Sequence, residues 1–131
     1  MTQGQTPSGS DPVPGVPEPL TRGRTVDITT YGRRSGKPQR IEIWTWIADG
    51  RVYLTGSPGR RDWYANLKAN PQLVVHVKRG DRVDLSARAR PVEGGVERRE
   101  VFERLLSSTR YDLEAWIARS PLAELDFAVD E

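Results

Sequence analysis

Two short stretches concentrate cations and glycines, and both read as turns. The first is Gly32-Arg33-Arg34-Ser35-Gly36-Lys37-Pro38-Gln39-Arg40. Arg33, Arg34, Lys37 and Arg40 supply charged donors, and Ser35 supplies a hydroxyl. Gly32 and Gly36 allow the main chain to approach a ligand closely, and successive amides in such a turn can form an anion nest. Arginine forks match phosphate oxygens two at a time. The second stretch is Ser57-Pro58-Gly59-Arg60-Arg61, which leads into a helix whose N-terminus adds free amides and partial positive charge. Both turns suit an anionic ligand. On charge alone, a solvated basic hairpin explains the first equally well.

The aromatic residues add a second chemistry. Trp44, Trp46, Trp63 and Tyr64 can stack on a planar ring, or they can serve core or dimer packing. A phosphate grip beside stacking rings suits a flavin-like cofactor. The single histidine, His76, has no evident Ser or Asp partner in the sequence and reads as a structural barrel residue, so no triad is invoked. Glu42 shares a strand face with Arg40, two residues away, and is expected to pair with it. Cysteine is absent, which excludes disulfides and Cys metal sites. No nucleophile motif, Walker loop or Rossmann fingerprint is present, so the hard chemistry of an enzyme here must come from a cofactor.

The elements that must position these residues follow from periodicity. Residues 1–24 hold five of the ten prolines and almost no large apolar side chain, and read as a disordered tail. Residues 25–131 read as one domain, large enough to bury a core. Strands are expected at Thr25–Tyr31, Gln39–Ala48, Arg51–Ser57, Gln72–Lys78, Arg82–Arg90 and Leu122–Val129. In the second, Ile41, Ile43 and Ile47 form the face expected in the core, and Arg40, Glu42, Trp44 and Trp46 the other. Asp49-Gly50 signals a type I′ hairpin. Helices are expected at Asp62–Ala69, Val96–Ser107 and Asp112–Ala118. The first is stopped by Asn70-Pro71. Antiparallel strands that close in sequence predict a small β-barrel with helices packed outside, mainly β with peripheral helices (α+β).

The remaining composition is mild. The formal net charge is +2, with 18 acidic residues diluting 20 basic ones. No apolar run reaches the roughly 18 residues of a membrane span, and the N-terminus lacks a signal-peptide pattern. The expectation is a cytoplasmic protein without stable membrane insertion.

Three segments together resemble the deazaflavin-dependent nitroreductase family of actinobacteria. They are Ile28-Thr29-Thr30-Tyr31-Gly32-Arg33-Arg34-Ser35-Gly36-Lys37-Pro38, then Asp49-Gly50, then Asp62-Trp63-Tyr64-Ala65-Asn66-Leu67-Lys68-Ala69-Asn70-Pro71. The resemblance covers residues 25 to 92 well and the C-terminal third in outline. It implies a split β-barrel related to the FMN-binding and pyridoxamine-phosphate-oxidase-like domains, and reduced coenzyme F420 as hydride donor. It places the cofactor's phosphate and oligoglutamate tail on Arg33, Arg34, Ser35, Gly36 and Lys37, with Arg40 nearby. The deazaflavin side falls to Ser57, Gly59, Trp63 and Asn66, with Arg60 or Arg61 substituting for a longer segment in many relatives. Pro58 removes one amide donor there. Of the tyrosine run that lines the substrate pocket in nitroimidazole-activating members, only Tyr111 and Trp116 remain.

The reading is an oxidoreductase transferring a hydride to a quinone-like or other electrophilic planar acceptor, with Trp44, Trp46 and Tyr111 on the acceptor side. The partners are then small molecules, not nucleic acid, and a homodimer is compatible with the exposed apolar side chains. Two alternatives stand beside it. One is an FMN- or F420-binding protein without turnover. The other is a small barrel that binds single-stranded nucleic acid through arginines and exposed indoles.

Overall fold

The computed structural model describes residues 16–21, 25–80 and 82–127. Six strands are present: β1 (Thr25–Tyr31), β2 (Pro38–Ala48), β3 (Arg51–Thr55), β4 (Gln72–Val77), β5 (Val83–Pro91) and β6 (Leu122–Phe127). Three helices join them: α1 (Asp62–Ala69), α2 (Gly95–Leu105) and α3 (Leu113–Arg119). The strands form a closed antiparallel barrel in the order β1-β2-β3-β6-β5-β4, with β4 returning to β1. This is the mainly β architecture with peripheral helices that the alternation predicts. β3 stops at Thr55 rather than Ser57, and α2 at Leu105 rather than Ser107.

Inward alternation fills the barrel. Val26 and Ile28 from β1, Val52 and Leu54 from β3, Leu73 and Val75 from β4, and Ala87 and Ala89 from β5 make one buried cluster. Burying each of the larger side chains contributes roughly 1.5–3 kcal/mol. α1 adds Trp63 and Leu67 to this cluster. It touches both β1 and β5, which are not neighbours in the barrel, so it bridges across β4. A second cluster lies outside the barrel, where Val101, Phe102 and Leu105 of α2 and Trp116 of α3 pack on Tyr53 and Leu122. The Asp112 side chain caps α3 by accepting from the Ala115 amide at 3.1 Å. The hairpin at Asp49-Gly50 has positive φ at both residues, as a type I′ turn requires.

Two expectations are corrected. Val16 and Leu20, placed in the disordered tail, are buried against the barrel cluster, and Glu18–Thr21 forms a single 3-10 turn. Two apolar side chains are enough to hold that segment to a core. The rest of the proposed tail, residues 1–15 and 22–24, lies outside the described residues, as do the last residues of the expected closing strand. The isoleucine face of β2 is the second correction. Ile41 is 39% exposed and Ile47 41% exposed. Ile41 stands opposite Ile28, and Ile47 opposite Val52, so both share a face with barrel-core residues. Ile41 is nevertheless uncovered because β2 changes partner along its length.

Candidate functional site

That change of partner creates the site. β1 pairs with β2 from Pro38 to Trp44, whereas β3 pairs with it only from Thr45 to Ala48. Beyond Leu54, β3 continues along β6, through Thr55 opposite Leu122. The two strands therefore diverge at Trp44 and Thr55. A cavity of about 500 Å³ opens in the seam. Ile41 to Trp44 and Trp46 line one side, and Thr55, Gly56, Ser57, Arg61 and Trp63 the other. Tyr111 and Trp116 close it from the α3 region.

The basic turn abuts this cavity through α1. Gly32 donates to the Lys37 carbonyl at 2.9 Å, Gly36 donates to the Gly32 carbonyl at 2.8 Å, and the Lys37 amide donates to Ser35 Oγ at 3.1 Å. A Cβ on Gly32 would lie 2.6 Å from Ser35 Oγ, so no other residue fits without a shift. The Arg33 amide and guanidinium both donate to Asn66 Oδ1, at 3.1 and 2.9 Å. Arg33 also reaches Asp62, which adjoins the cavity residues Arg61 and Trp63 in the chain. Asn66 Nδ2 donates to Gln39 Oε1 at 3.0 Å and to Thr30 Oγ1 at 3.4 Å.

Asn66 is 1% exposed and its amide group is committed to these partners. It therefore locks α1 to the turn. The amides of Gly32, Arg33, Gly36 and Lys37 are spent within the protein, which narrows the expected anion nest to the amides of Arg34 and Ser35. The turn also presents side-chain charge on Arg34 and Lys37.

At the second turn, Arg61 folds back. Its Nη2 donates to the Ser57 carbonyl at 2.9 Å and to Ser57 Oγ at 3.2 Å, on the cavity rim. Gly59 adopts φ +137°, which L side chains rarely take, and its amide donates to the Arg119 carbonyl at the end of α3. Arg61 precedes α1 without a side-chain cap, so the first helical amides stay open to another acceptor. The side chains of Arg34, Lys37 and Arg60 are exposed and make no ion pair or hydrogen bond among the described residues.

The aromatic wall is built from distant parts of the chain. Trp46 meets Trp116 edge-on at 6.1 Å, and Tyr111 stacks on Trp116 at 4.9 Å with 17° between ring planes. Phe102 supports Trp116 edge-on from α2. Trp44 and Tyr111 are 51% and 52% exposed. The three residues expected on the acceptor side, Trp44, Trp46 and Tyr111, do line the cavity together, and Trp63 lines it from α1.

Arg40 is not brought to the site. It donates to Asp27 at 2.9 Å, and Lys78 bridges Asp27 at 2.8 Å and Glu42 at 2.6 Å. Glu42 thus pairs with Lys78 rather than with Arg40 as expected. The Lys78 ammonium, with Arg40, holds the Asp27 carboxyl below the usual carboxylate range. His76 has partners that its sequence neighbourhood did not reveal. Its Nδ1 meets Asp84 at 2.8 Å and its Nε2 meets Thr29 at 2.7 Å, across β1, β4 and β5. None of these three residues lines the seam cavity, and the bonds tie strands together. Among the described residues, no three His, Cys, Asp or Glu come together as a metal-binding group, and no helix is long and apolar enough to cross a membrane.

Ile41, Ile43, Thr55 and Gly56 line the cavity without having been singled out. Their apolar and small character reads as core or turn, and only the loss of pairing between β2 and β3 reveals the seam. Trp116 was legible as an aromatic near Tyr111, but nothing in its spacing pointed to β2.

The fold is a split barrel whose seam carries an aromatic slot, with exposed cations on the neighbouring turns. Residues 14–119 match the family model of the F420H(2)-dependent quinone reductases, and the chain belongs to this family. It is 33% identical over 70 residues to an F420H(2)-dependent quinone reductase of Mycobacterium tuberculosis (strain ATCC 25618 / H37Rv). That alignment covers 50% of this chain and 42% of the relative, so the chain spans less than half the length of the curated relatives it matches. A solved F420-H2 dependent reductase, FDR-A, superposes with a TM-score of 0.59 at 25% identity, covering 79% of this chain and 94% of that one. A pyridoxamine 5'-phosphate oxidase-like protein of Listeria innocua superposes at 0.61 with 9% identity, covering 85% of this chain and 89% of that one, a likeness of fold alone.

The residues present fit an anionic, planar cofactor. A volume of about 500 Å³ is in the range of sites that take such groups. The slot carries indoles for ring faces, and Arg34, Lys37 and Arg60 are uncommitted charges for an acidic tail.

Proposed function

We propose that this chain is an oxidoreductase that binds reduced coenzyme F420 and passes a hydride to a planar, quinone-like electrophile. When bound, the deazaflavin supplies the hydride. The chain's own residues bind, orient and exclude water. Arg34, Lys37 and Arg60 hold the acidic tail through charge. Trp63 and Arg61 flank the ring end of the seam, and Trp44, Trp46, Tyr111 and Trp116 face the acceptor. Stacking the acceptor in a slot converts an encounter in solution into an oriented one, and apolar walls keep competing water out.

The observation that carries this reading is the seam itself. Its cavity gathers Trp44, Trp46, Trp63 and Trp116 with Ser57 and Arg61, while the exposed cations Arg34, Lys37 and Arg60 stand on turns outside its lining, the first turn tied to α1 through Arg33 and Asn66. The nucleic-acid alternative requires a row of exposed indoles, whereas of the four tryptophans only Trp44 is exposed. A cytoplasmic protein and a homodimer through the uncovered Ile41 and Ile47 belong to the same proposal.

The test is a fluorescence titration of the purified chain with oxidised and reduced F420, run beside FMN, followed by turnover with menadione. Micromolar F420 binding that FMN does not match, together with oxidation of the reduced coenzyme by menadione, supports the reading. No F420 binding at micromolar concentration overturns it.

A further inference from the structure

The side chain of Arg98, on α2 and outside the cavity lining, makes four hydrogen bonds. It is 5% exposed, yet no carboxylate pairs with it among the described residues. Its guanidinium is satisfied by main-chain carbonyls instead. Nε donates to Ile117 O at 2.7 Å, Nη1 to Val92 O at 2.7 Å, and Nη2 to Trp116 O at 3.2 Å and to Ser120 O. Its plane lies over the Phe102 ring at 5.0 Å. Burial lowers Arg98 from the usual arginine value.

A buried, unpaired cation is a costly way to fasten two helices, since apolar packing would serve a purely structural need. The placement of the four bonds indicates what the cation secures. Three go to the last turn of α3 and the residue just past it, adding to the 2.9 Å bond by which the Ser120 amide already reaches the Trp116 carbonyl. α3 has only seven residues and gains little from its own hydrogen bonds. The carbonyl of Trp116 is one of the acceptors, and the Trp116 ring is the element of the cavity wall on which Tyr111 stacks and against which Trp46 and Phe102 rest. Two further buried groups border this knot, Tyr64 Oη and Ser120 Oγ. Neither has a partner at full hydrogen-bond geometry, and Leu122 and Arg98 lie near enough to influence the phenol without bonding it well. Tyr64 sits beside Trp63 on α1, so the knot touches both helices that border the seam.

We propose that Arg98 is a positioning residue for the acceptor side of the slot: by holding the last turn of α3 it sets the plane of the Trp116 ring, and through it the Tyr111 stack. This rests on the reading of the seam as the reaction site. Lysine cannot substitute, because one ammonium cannot serve carbonyls spread over a planar fork.

The experiment compares Arg98→Lys and Arg98→Ala with the unmodified chain by three measurements. The first is near-UV circular dichroism of the apoprotein, which reports the chiral Trp46–Trp116 and Tyr111–Trp116 pairs. The second is F420 affinity, and the third is kcat/KM for menadione. The expected result for Arg98→Lys is a changed near-UV band, kcat/KM lower by on the order of 10²-fold, and F420 affinity within roughly threefold of the parent. Added guanidinium ion restores the band and part of the turnover in Arg98→Ala. A parental near-UV band and parental kcat/KM in Arg98→Lys overturn the proposal. A fall of F420 affinity and turnover in parallel with thermal stability also overturns it, because that marks a purely structural residue. If Arg98→Ala does not fold, Arg98→Lys decides alone. If the unmodified chain binds no F420, the proposed function fails by itself, and the near-UV band still tells whether Arg98 orients Trp116.

Discussion

The basic turn and the aromatic wall are built on opposite principles. At the basic turn, one buried amide side chain, Asn66, gathers Arg33, Thr30 and Gln39 from a single neighbourhood, and leaves Arg34 and Lys37 pointing outward with nothing to hold. At the aromatic wall, Trp46, Phe102, Tyr111 and Trp116 come from β2, α2, the approach to α3 and α3 itself, and the first three rings each pack on Trp116. The first is a rigid frame that presents free charge. The second is a wall whose shape is its packing. Charge and stability should therefore separate at Arg34 and Lys37, whereas removing a ring from the wall should cost both stability and turnover.

The sharpest test removes the wall's central ring. Trp116→Ala is expected to cost about 3–5 kcal/mol, because it empties a packed site between two helices. Thermal melting would then fall by roughly 10 °C or more. Turnover should collapse while the salt dependence of F420 binding persists, since the cations are untouched. A stable Trp116→Ala protein would mean the wall is not held by mutual packing.

Breaking the frame comes next. Asn66→Ala strips partners from Arg33, Thr30 and Gln39 and is expected to cost about 1–3 kcal/mol. Its F420 affinity should fall as well, since the turn loses its anchor on α1. Urea unfolding and a binding titration on the same preparation check both.

Within the turn, Arg33 and Arg34 are adjacent but predicted to differ. Arg33→Ala lowers both stability and affinity because its guanidinium is part of the frame. Arg34→Ala and Lys37→Ala leave stability within about 0.5 kcal/mol, weaken F420 binding several-fold at low salt, and flatten its salt dependence. If Arg33→Ala and Arg34→Ala behave alike, the division of labour in the turn is wrong.

The smallest effect lies away from the seam. Asp27 has a lowered pKa in the folded protein, with Lys78 as the largest cause. A carboxyl of this kind contributes stability above its unfolded pKa of about 3.9, and loses it as pH falls through the lower folded value. Asp27→Asn should therefore lower the melting temperature slightly near pH 7, and the gap to the parent should close as pH drops below about 4.

This contrast also explains what could be read from the chain alone. The basic turn, the hairpin and the Trp63 helix are local, so spacing and turn chemistry revealed them and the resemblance rested on them. Trp44, Trp46 and Tyr111 were legible as aromatics that suit a planar partner. Other roles were not legible, because they depend on which strand lies beside which. Asn66 reads as a polar contact residue until Arg33 and Gln39 are seen closing over it. Ile41 reads as core until β3 turns away from it. His76 acquires Asp84 and Thr29 only across two strand junctions, and Arg98 reads as one more charge on a solvated helix face until the end of α3 and the residue after β5 offer it carbonyls.

The parting of β2 and β3 has one more result. From Pro38 to Ile43 the strand is paired on one side only among the described residues. Alternate main-chain amides and carbonyls on the other side face the space that β3 has left. These polar groups belong to the backbone, so exchanging the side chains of this stretch one at a time would leave them in place.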